Sequence, residues 1–344
     1  MTEPLARHTT LRLGGPAGSW TEATTEAELV EAVTAGDANG APALLLAGGS
    51  NLVVADEGVP GPLVKVATRG VRADVEEDGP ACGGVVVTVA AGESWDDLVA
   101  QAVERGWVGA EALAGIPGTV GATPIQNVGA YGQEVSQTIA SVRVWDRTLH
   151  GVRTFANSDC GFGYRHSRFK ADPGRHVVLE VTFQLRQGSL GAPVTYAELA
   201  RTLGVEPGGR APAADVREAV LALRRSKGMV LDEADHDTWS AGSFFTNPVL
   251  TPAQAAALPD DAPRWEQSGG LKTSAAWLIE RAGFHKGYGN ERVSLSTKHT
   301  LALTNRGTGT TADLLALARE VRDGVEARTG VRLLNEPVLV GVSL

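Results

Sequence analysis

The chain has 344 residues, enough for two or three domains that each bury a core. Hydrophobic residues make up 43% and charged residues 21%, as in ordinary globular proteins. The formal charge of −9 argues against a nucleic-acid partner, because nucleic-acid-binding surfaces are typically basic, but it leaves an anionic small ligand open. No stretch has the roughly 18 apolar residues of a membrane span, and the polar start of the chain lacks a signal-peptide pattern. We therefore expect a cytoplasmic protein without membrane insertion.

The cysteines and histidines indicate neither a disulfide framework nor a metal site. Cys82 and Cys160 do not have the spacing of metal ligands, and none of the seven histidines pairs with a second histidine and a carboxylate. The 42 glycines are concentrated in particular loops, which indicates demanding backbone geometry there.

The first predicted elements form a small α/β unit. A helix over 25–35 begins with Thr25 and Glu28 in a capping-box pattern. Apolar strands follow at 44–47, 52–54 and 63–66.

A second unit begins with a strand at 85–91 and a helix from the cap Ser94 to Gly106. Further strands are predicted at 142–146, 152–155 and 177–185. Apolar and polar residues alternate in the last of these, which predicts one buried face.

The last part of the chain follows a helix at 214–225 and a polar, irregular segment at 228–241, near which we place a domain boundary. The elements predicted beyond it are helices at 273–282 and 311–328 and strands at 293–296, 301–304 and 337–342. This mixture predicts α+β domains rather than one doubly wound sheet.

The first glycine loop, Ala47–Leu52, comes directly after an apolar strand and reads Ala-Gly-Gly-Ser-Asn-Leu. Consecutive glycines let backbone N–H groups point into one concavity that suits a diphosphate. The loop lacks the spacing of a Rossmann fingerprint. An ordinary tight turn is the alternative.

The second glycine loop, 115–132, holds five glycines and two prolines among apolar residues. This composition predicts a rigid, water-poor wall against a large flat ligand. The alternative is a purely structural Ω-loop.

Together these motifs resemble one enzyme family. Ala-Gly-Gly-Ser-Asn at 47–51, followed by Gly-Ile-Pro-Gly-Thr-Val-Gly-Ala at 115–122, is similar to UDP-N-acetylenolpyruvoylglucosamine reductases, which share an FAD-binding superfamily with vanillyl-alcohol oxidase. The similarity continues through 160–170, 241–248 and 272–283 and so covers nearly the whole chain.

The resemblance implies an α+β fold with a two-part FAD-binding region of the vanillyl-alcohol-oxidase type and a C-terminal α+β substrate domain. The implied boundaries are 1–70 and 71–205 for the two FAD-binding subdomains and 225–344 for the substrate domain. The last strand belongs either to that domain or to the FAD-binding region.

The resemblance also implies that both loops hold FAD. The implied cofactor-binding residues are Gly48, Gly49, Ser50, Asn51, Leu52, Gly115, Ile116, Pro117, Gly118, Thr119, Gly121, Ala122, Asn127, Gly129 and Ala130. Neither loop contains a histidine or cysteine, so we expect non-covalent FAD. Ala47 stands where a third glycine is frequent, and an alanine is tolerated there if its φ is negative.

The implied reaction is NADPH-dependent reduction of UDP-N-acetylglucosamine enolpyruvate to UDP-N-acetylmuramate in peptidoglycan synthesis, with hydride passing from reduced FAD to C3. Arg165 is the implied active-site cation, Ser243 the proton donor to C2, and Glu336 a catalytic carboxylate. Taken singly, the three residues have ordinary alternatives: a surface ion pair, a turn residue and a solvated carboxylate. Pro337 departs from the commoner family pattern after the glutamate.

The implied substrate-binding residues are Tyr164, Tyr196, Lys227, Asn247 and Lys272. No separate nicotinamide domain is visible, so we expect NADPH and the UDP-sugar to use one site in turn. We also expect a monomer. The alternatives are an FAD-linked oxidase of the same superfamily and a non-catalytic nucleotide-sugar binding module.

Overall fold

A computed structural model describes residues 3–75, 84–267 and 270–344, so Cys82 lies outside the described residues. The chain forms two compact units, each assembled from segments that are distant in sequence. The larger unit comprises residues 19–48 and 61–225, and the smaller unit comprises residues 1–18, 49–60 and 226–344.

Helices and strands alternate irregularly along the described residues. The helices are α1 (Glu26–Ala38), α2 (Trp95–Glu104), α3 (Arg168–Ala171), α4 (Ala197–Leu203), α5 (Ala213–Ser226), α6 (Pro252–Ala257), α7 (Ala275–Arg281) and α8 (Thr311–Thr329). The strands are β1 (Ala17–Ala23), β2 (Leu44–Leu46), β3 (Leu52–Val54), β4 (Val59–Val66), β5 (Val71–Val75), β6 (Gly84–Ala90), β7 (Trp107–Val108), β8 (Gly129–Ala130), β9 (Gln133–Glu134), β10 (Ile139–Asp146), β11 (Gly151–Ala156), β12 (His176–Gln187), β13 (Val249–Leu250), β14 (Arg264–Gln267), β15 (Gly270–Thr273), β16 (Val293–Leu295), β17 (Leu303–Asn305) and β18 (Val338–Val340).

The larger unit is organised by an antiparallel sheet in the order β11–β10–β12–β6–β5, with β7 pairing with the end of β12. Every second residue of β12 from Leu179 to Leu185 is buried, as the alternation in the sequence predicts. Most of a smaller sheet, in the order β1–β4–β2, also belongs to this unit. The helix α1 beside it begins with the predicted capping box of Thr25 and Glu28.

The smaller unit has one apolar core built around α7 and α8. The hairpin of β16 and β17 contributes Val293, Leu295 and Leu303 to this core, and β18 pairs in parallel with β3. Asp56 accepts hydrogen bonds from the first N–H groups of α8, at 2.8 Å from Thr311 and 2.9 Å from Ala312. The segment 49–60 is therefore bound to the C-terminal part of the chain by a strand pairing and a helix cap.

This arrangement differs from the consecutive domains at 1–70, 71–205 and 225–344 that the sequence predicts. Segments 1–18 and 49–60 are too short to bury a core of their own, so each packs with residues distant in sequence. The predicted α+β class is confirmed, and the long helices α1, α2, α5 and α8 lie where expected. The strands β1, β5 and β13–β15 have no counterpart among the predicted elements, because short or exposed strands carry a weak hydrophobic pattern.

No helix within the described residues is both long and apolar enough to cross a membrane. The same residues contain no cluster of histidine, cysteine and carboxylate side chains that could hold a metal ion. Cys160 is buried, and burial raises the pKa of its thiol to about 11, so the thiol is neutral near pH 7.

Asp146 makes the larger unit acid-sensitive. The Arg175 guanidinium, 2.9 Å from the carboxylate, lowers the pKa of this buried group from 3.8 to about 2, and the N–H groups of Thr148 and Leu149 add to the effect. Because the pKa is lowered in the folded state, the stabilisation is complete above the ordinary pKa and is lost as the pH falls towards 2.

Asp146→Asn should lower the free energy of unfolding in urea by roughly 2 kcal/mol at pH 7 and by about half that at pH 3.

Asp172→Asn is the matched control. Asp172 pairs with the same arginine at 3.3 Å, but its side chain is 53% exposed, so its removal should cost well under about 1 kcal/mol. Equal effects of the two variants, or an effect of Asp146→Asn that does not change with pH, would contradict the assignment.

Candidate active site

The two glycine loops approach each other at Gly48 in the larger unit. A Cβ added to Gly48 would lie 2.5 Å from the Cα of Gly118, closer than real side chains allow. Gly118 has a φ of +124°, which also favours glycine. Ala47 is not among the described residues with positive φ, so an alanine is tolerated there.

The segment 115–122 runs along the end of β6 and the start of α2. The N–H of Trp95 donates to the carbonyl of Gly118 at 3.1 Å, and the N–H of Gly121 donates to the carbonyl of Ala91 at 2.9 Å. Thr119 is buried at 9% exposure, and its Oγ1 has no hydrogen-bond partner in the described part of the chain. This hydroxyl therefore lacks the hydrogen bond that buried polar groups usually make.

Asn127 holds the second glycine loop in shape. It is buried in a left-handed conformation with φ +47°, and its Nδ2 donates to Glu134 at 2.7 Å and to the carbonyl of Gly163 at 3.1 Å. Its Oδ1 accepts from the N–H of Ser136 at 3.1 Å. Both amide hydrogens are thus engaged within the protein, and Asn127 joins this loop to the segment that carries Arg165. Its contact with a cofactor stays a prediction.

Arg165 lies in a tight turn with an uncommon backbone conformation. Gly163 and His166 exchange backbone hydrogen bonds of 3.0 and 3.1 Å, which leaves Tyr164 and Arg165 at the tip. The φ of Arg165 is +51°, a value that costs a non-glycine residue on the order of 1 kcal/mol. Lys170 Nζ donates to the Arg165 carbonyl at 3.1 Å and helps to hold this conformation.

Ser167 attaches this turn to the second glycine loop. It is fully buried, its hydroxyl donates to the carbonyl of Ile125, and its Oγ accepts from the N–H of Lys170 at 3.2 Å as the cap of α3. The run Tyr-Arg-x-Ser-x-Phe-Lys therefore includes a buried serine that joins the segment after Arg165 to the second glycine loop.

Tyr196 packs against the end of the second glycine loop. It precedes α4, is 45% exposed, and meets Tyr131 edge-on with ring centroids 5.4 Å apart. A Cβ at Gly132 would lie 2.4 Å from Oγ1 of Thr195, so glycine permits this close packing.

Arg224, on α5, was not assigned a role from the sequence. Burial lowers the pKa of its guanidinium, the nearby Tyr131 and Asp96 oppose this shift, and Arg165 adds to it. The larger unit thus places a second arginine close to Arg165. Arg224 lies at the end of a predicted helix, where the helix dipole favours a cation, so its charge needed no ligand to explain it.

In the smaller unit, Gly49 continues the first glycine loop. Its φ is +60°, and a Cβ there would lie 1.9 Å from the carbonyl oxygen of His8, so only glycine fits. The Asn51 carbonyl accepts from the N–H of Val338 at 2.9 Å. Ser50 and Asn51 therefore lie beside the strand that Glu336 precedes, and Leu52 begins β3.

Ser243 follows a glycine with open space beside it. Gly242 has a φ of +73°, and a Cβ there would meet no atom within 4 Å among the described residues. Phe244 and Phe245 are each 1% exposed and anchor the segment in the core. The N–H of Phe244 donates to the carbonyl of Leu301 at 2.7 Å. Ser243 is thus half-buried, between a glycine beside open space and two anchored rings.

Glu336 lies on the neighbouring segment. Phe245 and Asn335 are antiparallel partners, and the N–H of Glu336 donates to the carbonyl of Phe244 at 2.8 Å. The structure therefore brings Ser243 and Glu336 onto adjacent segments, although they are almost a hundred positions apart in the printed sequence.

His299 was not identified from the sequence. Its Nε2 lies 3.5 Å from the Ser243 Oγ. The polar run Ser-Thr-Lys-His-Thr at 296–300, between two buried strands, is the signal that could have indicated it.

The remaining predicted residues of this unit have different surroundings. Asn247 accepts from the N–H of Ala275 at 2.9 Å at the start of α7. Lys272 lies in β15 opposite Val249, and Lys227 directly follows α5. These positions do not by themselves assign a ligand.

Comparison with known proteins agrees with these features. Residues 20–150 match the family model of an FAD binding domain, and residues 233–340 match that of the UDP-N-acetylenolpyruvoylglucosamine reductase C-terminal domain. The UDP-N-acetylenolpyruvoylglucosamine reductase of Streptomyces avermitilis is 58% identical over 99% of this chain and 94% of its own length. That of Cutibacterium acnes is 55% identical over 99% of this chain and 90% of its length. A crystal structure of the enzyme from Thermus caldophilus has a TM-score of 0.67 at 25% identity and covers 99% of this chain and 98% of that one.

The close approach at Gly48 predicts a specific sensitivity. Gly48→Ala should lower the free energy of unfolding by roughly 1–3 kcal/mol in urea denaturation, because the new methyl group meets backbone that cannot rotate away. Gly61→Ala is the control, since a Cβ at Gly61 meets nothing within 4 Å among the described residues. A Gly48→Ala protein as stable as Gly61→Ala would contradict the packing of the two loops.

Proposed function

The chain belongs to the UDP-N-acetylenolpyruvoylglucosamine reductase family, and from that membership we propose its reaction. It is an FAD-dependent oxidoreductase of peptidoglycan synthesis with NADPH as co-substrate. When bound and reduced by NADPH, FAD supplies the hydride that C3 of the enolpyruvyl group receives. Protonation of C2 then completes UDP-N-acetylmuramate.

The residues present fit an FAD molecule. Thr119 has a buried hydroxyl without a partner among the described residues, and the glycines at 48 and 118 bring bare backbone together without side chains. Exposed backbone N–H groups in glycine-rich turns suit a diphosphate. The residues we assign to FAD are Gly48, Gly49, Ser50, Asn51, Leu52, Gly115, Ile116, Pro117, Gly118, Thr119, Gly121, Ala122, Asn127, Gly129 and Ala130.

Arg165 is assigned to the substrate carboxylate. Negative charge develops at C2 and spreads into the carboxylate when C3 accepts a hydride. A guanidinium binds a carboxylate through two parallel hydrogen bonds and keeps its charge. The constrained turn at Arg165 supports this role, because preorganised charge lowers a barrier most when it need not reorient.

Ser243 is assigned as the proton donor to C2, with Glu336 as the second catalytic residue of its unit. The observation that carries this assignment is the 2.8 Å hydrogen bond from Glu336 N–H to the Phe244 carbonyl, which holds the two segments side by side. Serine is a weak acid, but a carbanion-like carbon is basic enough to accept its proton.

The UDP-sugar is assigned to Tyr164, Tyr196, Lys227, Asn247 and Lys272. The exposed rings of Tyr164 and Tyr196 and the cationic side chains of Lys227 and Lys272 suit a nucleotide diphosphate. A shared site for NADPH and the UDP-sugar, a monomeric state, a cytoplasmic location and a division into FAD-binding and substrate domains stay predictions.

Thr119 predicts a loss of flavin affinity. Thr119→Val keeps the size of the side chain but removes the hydroxyl. The Kd for FAD should therefore rise roughly tenfold, because one buried hydrogen bond is lost. Dialysis of the yellow protein with absorbance at the flavin band measures it. Thr34→Val is the control, because Thr34 Oγ1 is another buried hydroxyl without a partner in the described residues, on α1. Equal flavin retention in both variants would remove Thr119 from the cofactor site.

The two half-reactions, reduction by NADPH and reoxidation by the sugar, are tested separately in the absence of oxygen. NADPH should bleach the yellow protein, and the enolpyruvyl UDP-sugar should restore the colour and yield UDP-N-acetylmuramate, whereas air should restore it only slowly. Ser243→Ala should still be bleached but should form product at least about a hundredfold more slowly, because general acid catalysis is lost.

Thr246→Val is the control for Ser243→Ala. The Thr246 hydroxyl reaches the Leu334 carbonyl at 3.4 Å, and the backbone bond to the same carbonyl remains in the variant. Rapid reoxidation by air would favour an oxidase, and a colourless protein that takes up no flavin would favour a binding module. Full product formation by Ser243→Ala would reject the serine as proton donor.

A further inference from the structure

A serine hydroxyl that donates a proton must point its hydrogen at the acceptor. The hydroxyl rotates freely unless a neighbouring group holds its oxygen. Among the described residues, the side chain recorded within hydrogen-bond reach of the Ser243 Oγ is His299, with Nε2 at 3.5 Å. Hydrogen bonds in active sites commonly shorten when the substrate binds, so this separation suits a partner that tightens during reaction.

The turn that carries His299 is held from within by Ser296. The Oγ of this buried serine accepts from the N–H of Lys298 at 3.0 Å and from the N–H of His299 at 3.2 Å. The carbonyl of His299 accepts from the N–H of Ala302 at 3.1 Å. The backbone of His299 is therefore held by hydrogen bonds at both its N–H and its carbonyl.

A buried carboxylate holds the same turn from outside. Asp237 is 4% exposed and accepts from the N–H of Thr297 at 2.9 Å and from the guanidinium of Arg306 at 2.9 Å. Burial opposes its ionisation, but the hydrogen bonds from Thr297 and the charge of Arg306 outweigh this, and the pKa of Asp237 lies below its ordinary value. The carboxylate thus stays ionised and bound to the turn.

Thr300 adds a further contact to this support. The hydroxyl of Thr300 donates to Glu280 on α7 at 2.7 Å. Polar side chains therefore tie residues 297–300 to the body of the smaller unit. None of them is required for an ordinary connection between β16 and β17, where a two-residue hairpin loop would suffice.

We propose that His299 is a positioning residue for Ser243. With its hydrogen on Nε2, the imidazole donates to the Ser243 Oγ, which leaves the serine hydrogen directed at C2 of the substrate. The serine O–H bond breaks as the C2–H bond forms, the hydrogen bond from His299 stabilises the negative charge left on Oγ, and water then returns a proton to the oxygen. This inference rests on the proposed role of Ser243.

His299→Leu and His299→Gln test the proposal in the FAD-loaded protein. Leucine fills similar space without a donor, whereas the glutamine amide nitrogen reaches about as far as Nε2. In His299→Leu, bleaching by NADPH should keep its rate, and reoxidation by the enolpyruvyl UDP-sugar should slow roughly ten- to hundredfold in kcat, with KM changed less. His299→Gln should recover most of the rate. The control His285→Leu, at an exposed histidine bound to its neighbour's carbonyl, should leave both half-reactions unchanged.

A double-mutant cycle with Ser243→Ala distinguishes positioning from general support. Once the serine is gone, His299→Leu should slow the reaction no further, because residues that act as a unit are non-additive. An additive effect, equal slowing of both half-reactions, or a His299→Gln protein as slow as His299→Leu would overturn the proposal. If His299→Leu does not fold, the test uses the rate at which the enolpyruvyl UDP-sugar reoxidises His299→Gln. A rate near that of the wild type would support the proposal, and a rate below that of Ser243→Ala would overturn it. Failure of the wild-type protein to reduce the sugar would instead reject the proposed function.

Discussion

Irregular backbone in a protein interior is stable only where its polar groups find partners, and both units of this chain depend on buried side chains that supply them. Asn127 does this in the larger unit, where one amide side chain joins three separate points of backbone and side chain. Asp237 and Ser296 do it in the smaller unit. Arg165 lies in the turn whose first residue Asn127 holds, and His299 lies in the turn that Asp237 and Ser296 hold.

Glycine supplies the complementary condition. At Gly48 and Gly49 the chain passes so close to other backbone that a single methyl group would collide with it. At Gly242 the space is open, and the left-handed backbone alone explains the residue. The glycine content therefore reflects two separate requirements, close approach and unusual φ, and the sequence cannot tell them apart.

The proposed chemistry explains why such rigidity is needed. A serine hydroxyl is a poor acid, and an enolate is stabilised only by charges already in place when it forms. The rate is then sensitive to small errors in the direction of the reacting groups, and mobile loops would introduce such errors. The cost of the left-handed Arg165 and of the buried ionised Asp237 is consistent with a protein that fixes these groups before the substrate arrives.

The amino-acid sequence by itself determined the long helices, the alternating strand β12, both glycine loops and the identity of Arg165, Ser243 and Glu336 as candidates, because each of these has a local pattern or a family motif. Only the tertiary structure decided that β3 pairs with β18, that Ser243 lies beside Glu336, and that His299 approaches the serine. These contacts join residues far apart along the chain, and their geometry follows from how the core packs. No periodicity or spacing in one sequence encodes that packing locally.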